Sequence, residues 1–252
     1  PYIGVYDKFL AEVAAGGSGY DVVTIDVIWI PTFAQYAEPI DELFTDDVVN
    51  DLFPALVADA EYEGKYVGMP VWTNSEILFY QKDLFEDPNE QANFKSEYGY
   101  ELKVPETWDE FIDVAKFFTR DTDNDGEIDL YGTDVKGGVP TEWMATVKQA
   151  GASGAIFDPD GNIIVDNQAH LDALKFYTDL HLKHNVSPKN VNEIDWGISA
   201  QLFWEGKLAL FRWWAHLYRM TPEDSIVAGN IGAAPMISGP GGIGAIPGPW
   251  YN

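Results

Sequence analysis

Short apolar runs of strand length alternate along this chain with longer segments of helical periodicity, and that alternation limits the fold more than any other feature. "YDVVTI" (20–25), "ILFYQ" (77–81) and "LALF" (208–211) are continuous apolar runs, the pattern of strands buried on both faces. "KYVGMPV" (65–71) is read as a further strand, because it follows a turn at Glu63 and Gly64. Helical segments lie between them. "YDKFLAEVAAG" (6–16) ends in the glycines of "GGSG". At Thr107 the spacing T-x-x-E to Glu110 forms a capping box, and Phe111, Val114, Ala115 and Phe118 recur at i, i+3, i+4 and i+7. "QAHLDALKFYTDLHLKHN" (168–185) sets Ala169, Ala173, Phe176 and Leu180 on one side, with Pro188 soon after its end. Strands alternating with helices predict an α/β architecture with mostly parallel sheets flanked by helices.

A chain of 252 residues with 46% hydrophobic content is long enough for one large domain or two smaller ones. The stretch "FYQKDLFEDP" (79–88) leaves a strand for polar sequence and marks a boundary. No uninterrupted apolar run reaches the roughly 18 residues of a membrane span, and the first residues lack the charged and apolar regions of a signal peptide. Cysteine is absent, which excludes disulfides and thiolate metal sites. The 41 acidic and 15 basic residues give a formal net charge of −26, which repels phosphate backbones and anionic lipid. Nucleic acid is therefore not an expected partner, and the acids read as a solvated surface.

"DTDNDGEID" (121–129) is the most specific local motif. Its acids at i, i+2 and i+4 and the glycine at position six follow a calcium loop of the EF-hand type. Asp121, Asp123 and Asp125 would supply carboxylate oxygens, Glu127 its backbone carbonyl, and Asp129 an oxygen directly or through water. Position twelve, where such loops carry a bidentate Glu, is Gly132. The loop 121–132 is read as a structural calcium staple, with a metal-free acidic turn as the alternative.

Catalytic patterns are weak. His181 and His184 share a predicted helix without an H-E-x-x-H, and neither a G-x-S-x-G elbow nor a phosphate-binding P-loop occurs. "GGSG" and "GPGGIG" read as turns. Carboxylate pairs suited to glycoside hydrolysis are available simply because acids are abundant.

Tryptophan placement is more informative. Trp29, Trp72, Trp213 and Trp214 follow predicted strands, where ligands of open α/β sheets bind. An indole offers a flat apolar face to the C–H side of a sugar ring, and Asp26, Asn74, Glu142 and Arg212 supply donors and acceptors for hydroxyls. Trp108 and Trp204 are assigned to the core. Alternation along a strand puts Arg212 and Trp214 on one side and Trp213 on the other, with the chain turning helical near His216.

The segments "YDVVTIDVIWIPTFAQYAEPIDELF", "YEGKYVGMPVWTNSEILFYQKDLF", "ETWDEFIDVAKFF", "ALKFYTDLHLKHNVSP", "FWEGKLALFRWWAHLY" and "GPGGIGAIPGPW" occur in that order. Together they resemble the extracellular solute-binding proteins of ABC sugar importers, in the branch that includes maltose, trehalose and α-glucoside binders. The resemblance implies a two-lobe fold of the periplasmic-binding-protein type II with a cleft between the lobes. Residues 1–78 would form the N-terminal lobe, 79–224 the second lobe, and 225–252 the return to the first. It implies ligand contacts at Asp26, Trp29, Trp72, Asn74, Glu142, Trp143, Trp196, Arg212, Trp214 and Trp250, without a catalytic cofactor. The implied partners are a sugar and membrane permease subunits, met by a monomer in the periplasm or at the cell surface. The family's usual first strand and helix before Pro1, and its helices after Asn252, are absent, so a part of a longer protein is expected. Two other classes are left open by the residues: a glycosidase using paired acids, and a binder of cationic amines caged by tryptophans, against which Arg212 argues.

Overall fold

The computed structural model describes residues 2–17, 19–139, 142–158 and 160–242. The chain divides into two units, one ending at Thr73 and the other beginning at Asn74. The expected boundary at residue 78 thus moves ahead of strand "ILFYQ", which belongs wholly to the second unit.

The first unit opens with α1 (Tyr2–Ala14) and continues through single turns, including α2 (Ile30–Phe33), to α3 (Asp46–Asp51) and α4 (Pro54–Asp59). Tyr6 packs edge-on against Trp29 at 5.3 Å, and Phe9 meets Phe33 at 4.6 Å. β1 (Glu61–Tyr62) and β2 (Lys65–Tyr66) form an antiparallel hairpin. Glu63 and Gly64 both take positive φ at its turn, as a two-residue hairpin with right-handed strand twist requires. "KYVGMPV" is therefore a strand only at its first two residues. "YDVVTI" is not a strand: residues 20–25 have no ladder partner among the described residues, and Val22 is 89% exposed. A β-branched run acquires strand geometry only beside another strand that satisfies its backbone groups.

In the second unit β3 (Glu76–Gln81) is central. α5 (Lys82–Glu86), α6 (Pro88–Tyr98), α7 (Trp108–Phe118), α8 (Met144–Gln149), α9 (Gln168–Leu182) and α10 (Trp196–Trp204) follow it. The chain then forms β4 (Leu210–Trp214), α11 (Leu217–Met220) and β5 (Ile231–Ala234). The sheet order is β4-β3-β5, and both pairings are antiparallel. This corrects the expectation of mostly parallel sheets for the described residues. An unbroken apolar run reports burial on both faces, and both faces are indeed covered, but burial alone leaves strand direction open. β5 places residues 231–234 in the second unit, so the described part of 225–252 does not return to the first.

Sheet and helices enclose two apolar clusters. Leu78 and Leu210 face one, with Phe111, Val114, Ala115 and Phe118 of α7 and Ala173, Phe176 and Leu180 of α9. Phe79, Phe211 and Trp213 face the other, with Phe203 and Leu208. Each of the Leu, Val and Phe side chains among them contributes about 1.5–3 kcal/mol on burial. The Thr107 hydroxyl accepts from Glu110 N at 3.3 Å, while the Glu110 carboxylate accepts from Glu106 N at 2.8 Å, so the reciprocal limb of the capping box lies one residue early.

Candidate functional site

β4 extends three residues beyond its apolar run, carrying Arg212, Trp213 and Trp214 inside the strand. Ile77 stands opposite Trp213 and Glu76 opposite Trp214 on β3. Trp213 is buried and Trp214 half-buried, as alternation predicts. Trp196, the first residue of α10, stacks on Trp214 at 5.7 Å and meets Trp213 edge-on at 5.5 Å. One indole therefore joins the two rings that alternation separates. The turn to helix comes directly after, with His216 capping α11 and its ring contacting the Asn74 amide.

Behind these rings lies a buried charge cluster. Main-chain bonds from Tyr131 N to Lys207 O (2.9 Å) and from Leu210 N to Gly132 O (2.9 Å) dock residues 131–136 along the outer edge of β4. That docking brings Asp134 and Lys136 to Arg212. Lys136 Nζ donates to Glu142 Oε1 (2.9 Å) and to the carbonyl of Arg212 (3.0 Å), and stands 3.4 Å from Asp134. Arg212 Nη2 lies 3.5 Å from Glu142 Oε1, and its guanidinium sits over the Tyr177 ring. Asp134 also accepts from Ser199 Oγ at 2.5 Å. Arg212 is only 1% exposed. Its role thus changes from a surface donor to a charge held inside the unit, and Glu142 is buried with it.

The electrostatics are uneven, with three carboxylates facing two cations. Burial pushes the Glu76 carboxyl up to about 7, and neighbouring Glu142 adds to the effect against the pull of Arg212 and Lys136. Burial opposes the charge on Lys136, yet Asp134 and Glu142 hold its ammonium above the ordinary lysine value. Glu76 Oε2, Asp134 Oδ1 and the three guanidinium nitrogens of Arg212 are buried without hydrogen-bond partners.

The other expected contacts fall in several places. Trp143 is half-buried against the α7–α9 core and meets His170 edge-on at 6.1 Å. In the first unit, Trp72 is 66% exposed, and Asp26 caps the turn at Val27 by accepting from Ile28 N. Trp29 is buried beside Tyr6, so it reads as core and no longer as a contact. Trp250 lies outside the described residues. Trp108 is core as expected, stacked on Phe176 with its indole N–H donating to Gln149.

Sequence reasoning missed Glu76, Asp134, Lys136, Tyr177 and His216. The available signal was a charge inside or beside an apolar run: Glu76 opens "EILFYQ", and Asp134 and Lys136 alternate in "GTDVKGG".

The acidic loop gathers Asp121, Asp123 and Asp129, whose ligand atoms lie within 4.8 Å of one another. Asp125 is not in that group; its carboxylate accepts from Glu127 N at 2.8 Å, and the Glu127 carboxylate stands 3.5 Å from Lys189. Hydrogen bonds from Thr122 hold Asp129 below the usual carboxylate range. Gly132 cannot be exchanged for a liganding side chain, since a Cβ there would meet Ala115 O at 2.0 Å. The donor set fits a hard cation completed by water and lacks the bidentate twelfth ligand.

The second unit thus presents a stacked, half-buried indole pair at the end of the strand that carries the buried Arg212. The profile of the bacterial extracellular solute-binding protein family matches residues 1–251, and the chain belongs to that family. A "probable ABC transporter-binding protein" of Deinococcus radiodurans is 28% identical over 92% of this chain and 53% of its own length. Maltose-bound MalE3 of T. maritima superposes with a TM-score of 0.75 at 26% identity, over 94% of this chain and 57% of that one. A Thermotoga lettingae solute-binding protein bound to α-D-tagatose gives 0.73 at 27% identity, over 92% and 57%. The fold is that of the two-lobe, type II binding proteins. The chain spans about half the length, or less, of the curated relatives it matches.

Proposed function

We propose that this chain is the ligand-capturing portion of an ABC importer's substrate-binding protein, that it takes up a sugar, and that it performs no chemistry on it. The observation that carries this reading is the stacked Trp196–Trp214 pair, half-buried, with Asn74 and His216 beside it. Stacked indoles accept the C–H face of a pyranose, and the neighbouring amide and imidazole supply donors and acceptors for its hydroxyls. Trp72 and Asp26 are further proposed contacts on the first unit. The sugars named with similar structures, maltose and α-D-tagatose, support a carbohydrate ligand. The burial of Glu76 and Glu142 favours binding over hydrolysis, because a glycosidase needs both acids beside the scissile bond.

In this reading the protein works as a monomer outside the cytoplasmic membrane and hands its sugar to permease subunits. The loop carrying Asp121, Asp123 and Asp129 holds a structural calcium ion away from the sugar. Calorimetric titration with maltose, maltotriose, trehalose and tagatose, followed by chromatography of the mixtures, tests the proposal. Saturable binding with the sugar recovered intact is expected. Hydrolysis products, or no heat with any sugar, would overturn it.

A further inference from the structure

We propose that Glu76 is a positioning residue for Trp214 and carries one exchangeable proton, so that capture of a sugar on that ring is coupled to proton uptake near neutral pH. The inference rests on the sugar-binding reading above. Glu76 and Trp214 are directly paired across β3 and β4, and Leu78 pairs with Arg212 in the next register position on the same face. Glu76 is buried, its Oε2 has no hydrogen-bond donor, and the guanidinium of Arg212 likewise has nitrogens without acceptors. The site is thus polar and incompletely satisfied by protein partners, on the strand pair that carries the candidate sugar platform.

Every charged group facing Glu76 belongs to the same cluster. Arg212 comes from β4, Asp134 and Lys136 from the segment docked on the edge of β4, and Glu142 from the turn before α8. Tyr177 of α9 lies under Arg212. With all of them ionised, three carboxylates stand against two cations, and one negative charge is left without compensation in the interior. A proton on Glu76 removes that excess and leaves two acids against two bases. Burial without full compensation favours such neutralisation, and the elevated Glu76 carboxyl fits it.

A sugar laid on Trp214 excludes solvent from the residue directly paired with Glu76 and lowers the effective dielectric around the already buried carboxyl. The bound state then favours the protonated carboxyl more than the free state does. By linkage, binding takes up a fraction of a proton above neutrality, and affinity weakens as pH rises. His216 is the other titratable group nearby, through its contact with Asn74. Burial lowers its pKa, so it is already neutral at a pH of about 7.5 and takes no part in uptake there.

The test is calorimetric titration with maltose, maltotriose and tagatose at a pH of about 7.5, in phosphate and in Tris, whose ionisation heats differ. Wild-type protein is expected to show different binding enthalpies in the two buffers, corresponding to proton uptake. Its Kd should weaken several-fold between about pH 6 and pH 8.5. Glu76→Gln is expected to abolish the buffer difference and flatten the pH profile. Binding with equal enthalpies in the two buffers, or proton uptake that survives in E76Q, would overturn the inference while leaving sugar binding intact. If no sugar binds, the functional reading fails separately. The proton site is then read from tryptophan fluorescence of the free protein against pH. A transition near neutrality that E76Q removes supports it, and a flat wild-type profile contradicts it without any variant.

Discussion

The carboxylate of Glu142 lies 3.5 Å from the guanidinium of Arg212, and both side chains are withdrawn from solvent. The same Glu142 oxygen accepts from Lys136 at 2.9 Å, so a single acid serves two buried cations. Glu142→Ala is expected to destabilise the second unit by about 3–5 kcal/mol, because it leaves the buried Arg212 and Lys136 short of negative charge. Glu142→Gln should cost less, since its amide oxygen still accepts from Lys136. Urea denaturation of the two variants checks this, and equal small losses would show that the cluster is hydrated.

Stability should also depend on pH through Glu76. Its folded pKa, about 7, lies above the ordinary value of 4.5. The folded state therefore binds more protons than the unfolded state between those values, and stability falls as pH rises. The contribution is fully present below about pH 4.5 and lost once pH passes about 7. The difference in denaturation midpoint between wild type and E76Q should change across that window. A constant difference would show that Glu76 keeps one protonation state throughout.

Trp214→Ala and Trp108→Ala should fail in opposite ways. Trp108 stacks on Phe176 at 4.2 Å in the core, so its removal should cost about 3–5 kcal/mol of stability with little change in sugar affinity. Trp214 is half-buried against Trp196, so its removal should cost affinity and little stability. Thermal denaturation and calorimetry on both variants separate these effects.

Calcium should raise the melting temperature without changing which sugar is preferred, and Asp121→Asn should remove most of that rise. Gly132→Ala should destabilise the protein with or without calcium, because the added methyl meets the Ala115 carbonyl. No shift with calcium in wild type would leave the loop as a metal-free turn.

Local signals in the sequence carried much of this structure. The capping residue Thr107 and the spacing from Phe111 to Phe118 located α7, and the apolar run "ILFYQ" located β3. Alternation carried β4 as far as Trp214, but the burial of Arg212 was hidden, because a charge after an apolar run looks like a solvent-facing group. The acid that accommodates it, Glu142, lies far away in sequence and is brought close only by folding. "YDVVTI" failed for the converse reason: its composition suits a strand, but pairing depends on a neighbour that composition does not supply. Of the proposed site, Trp214 was legible from its position after a strand, whereas Trp196 came only from the family resemblance. Glu76, Asp134 and Lys136 were not, because a charge in an apolar run has meaning only once its counter-charges are placed.

The central claim is that the Trp196–Trp214 pair is a sugar platform. It is tested most directly by titrating wild type and Trp214→Ala with maltotriose and tagatose in parallel, after both are shown to melt alike. The account predicts saturable binding by wild type of at least one of the two, weakened about a hundredfold or more in the variant, as for a stacking residue contributing roughly 3 kcal/mol. Equal affinity in the two proteins would contradict it.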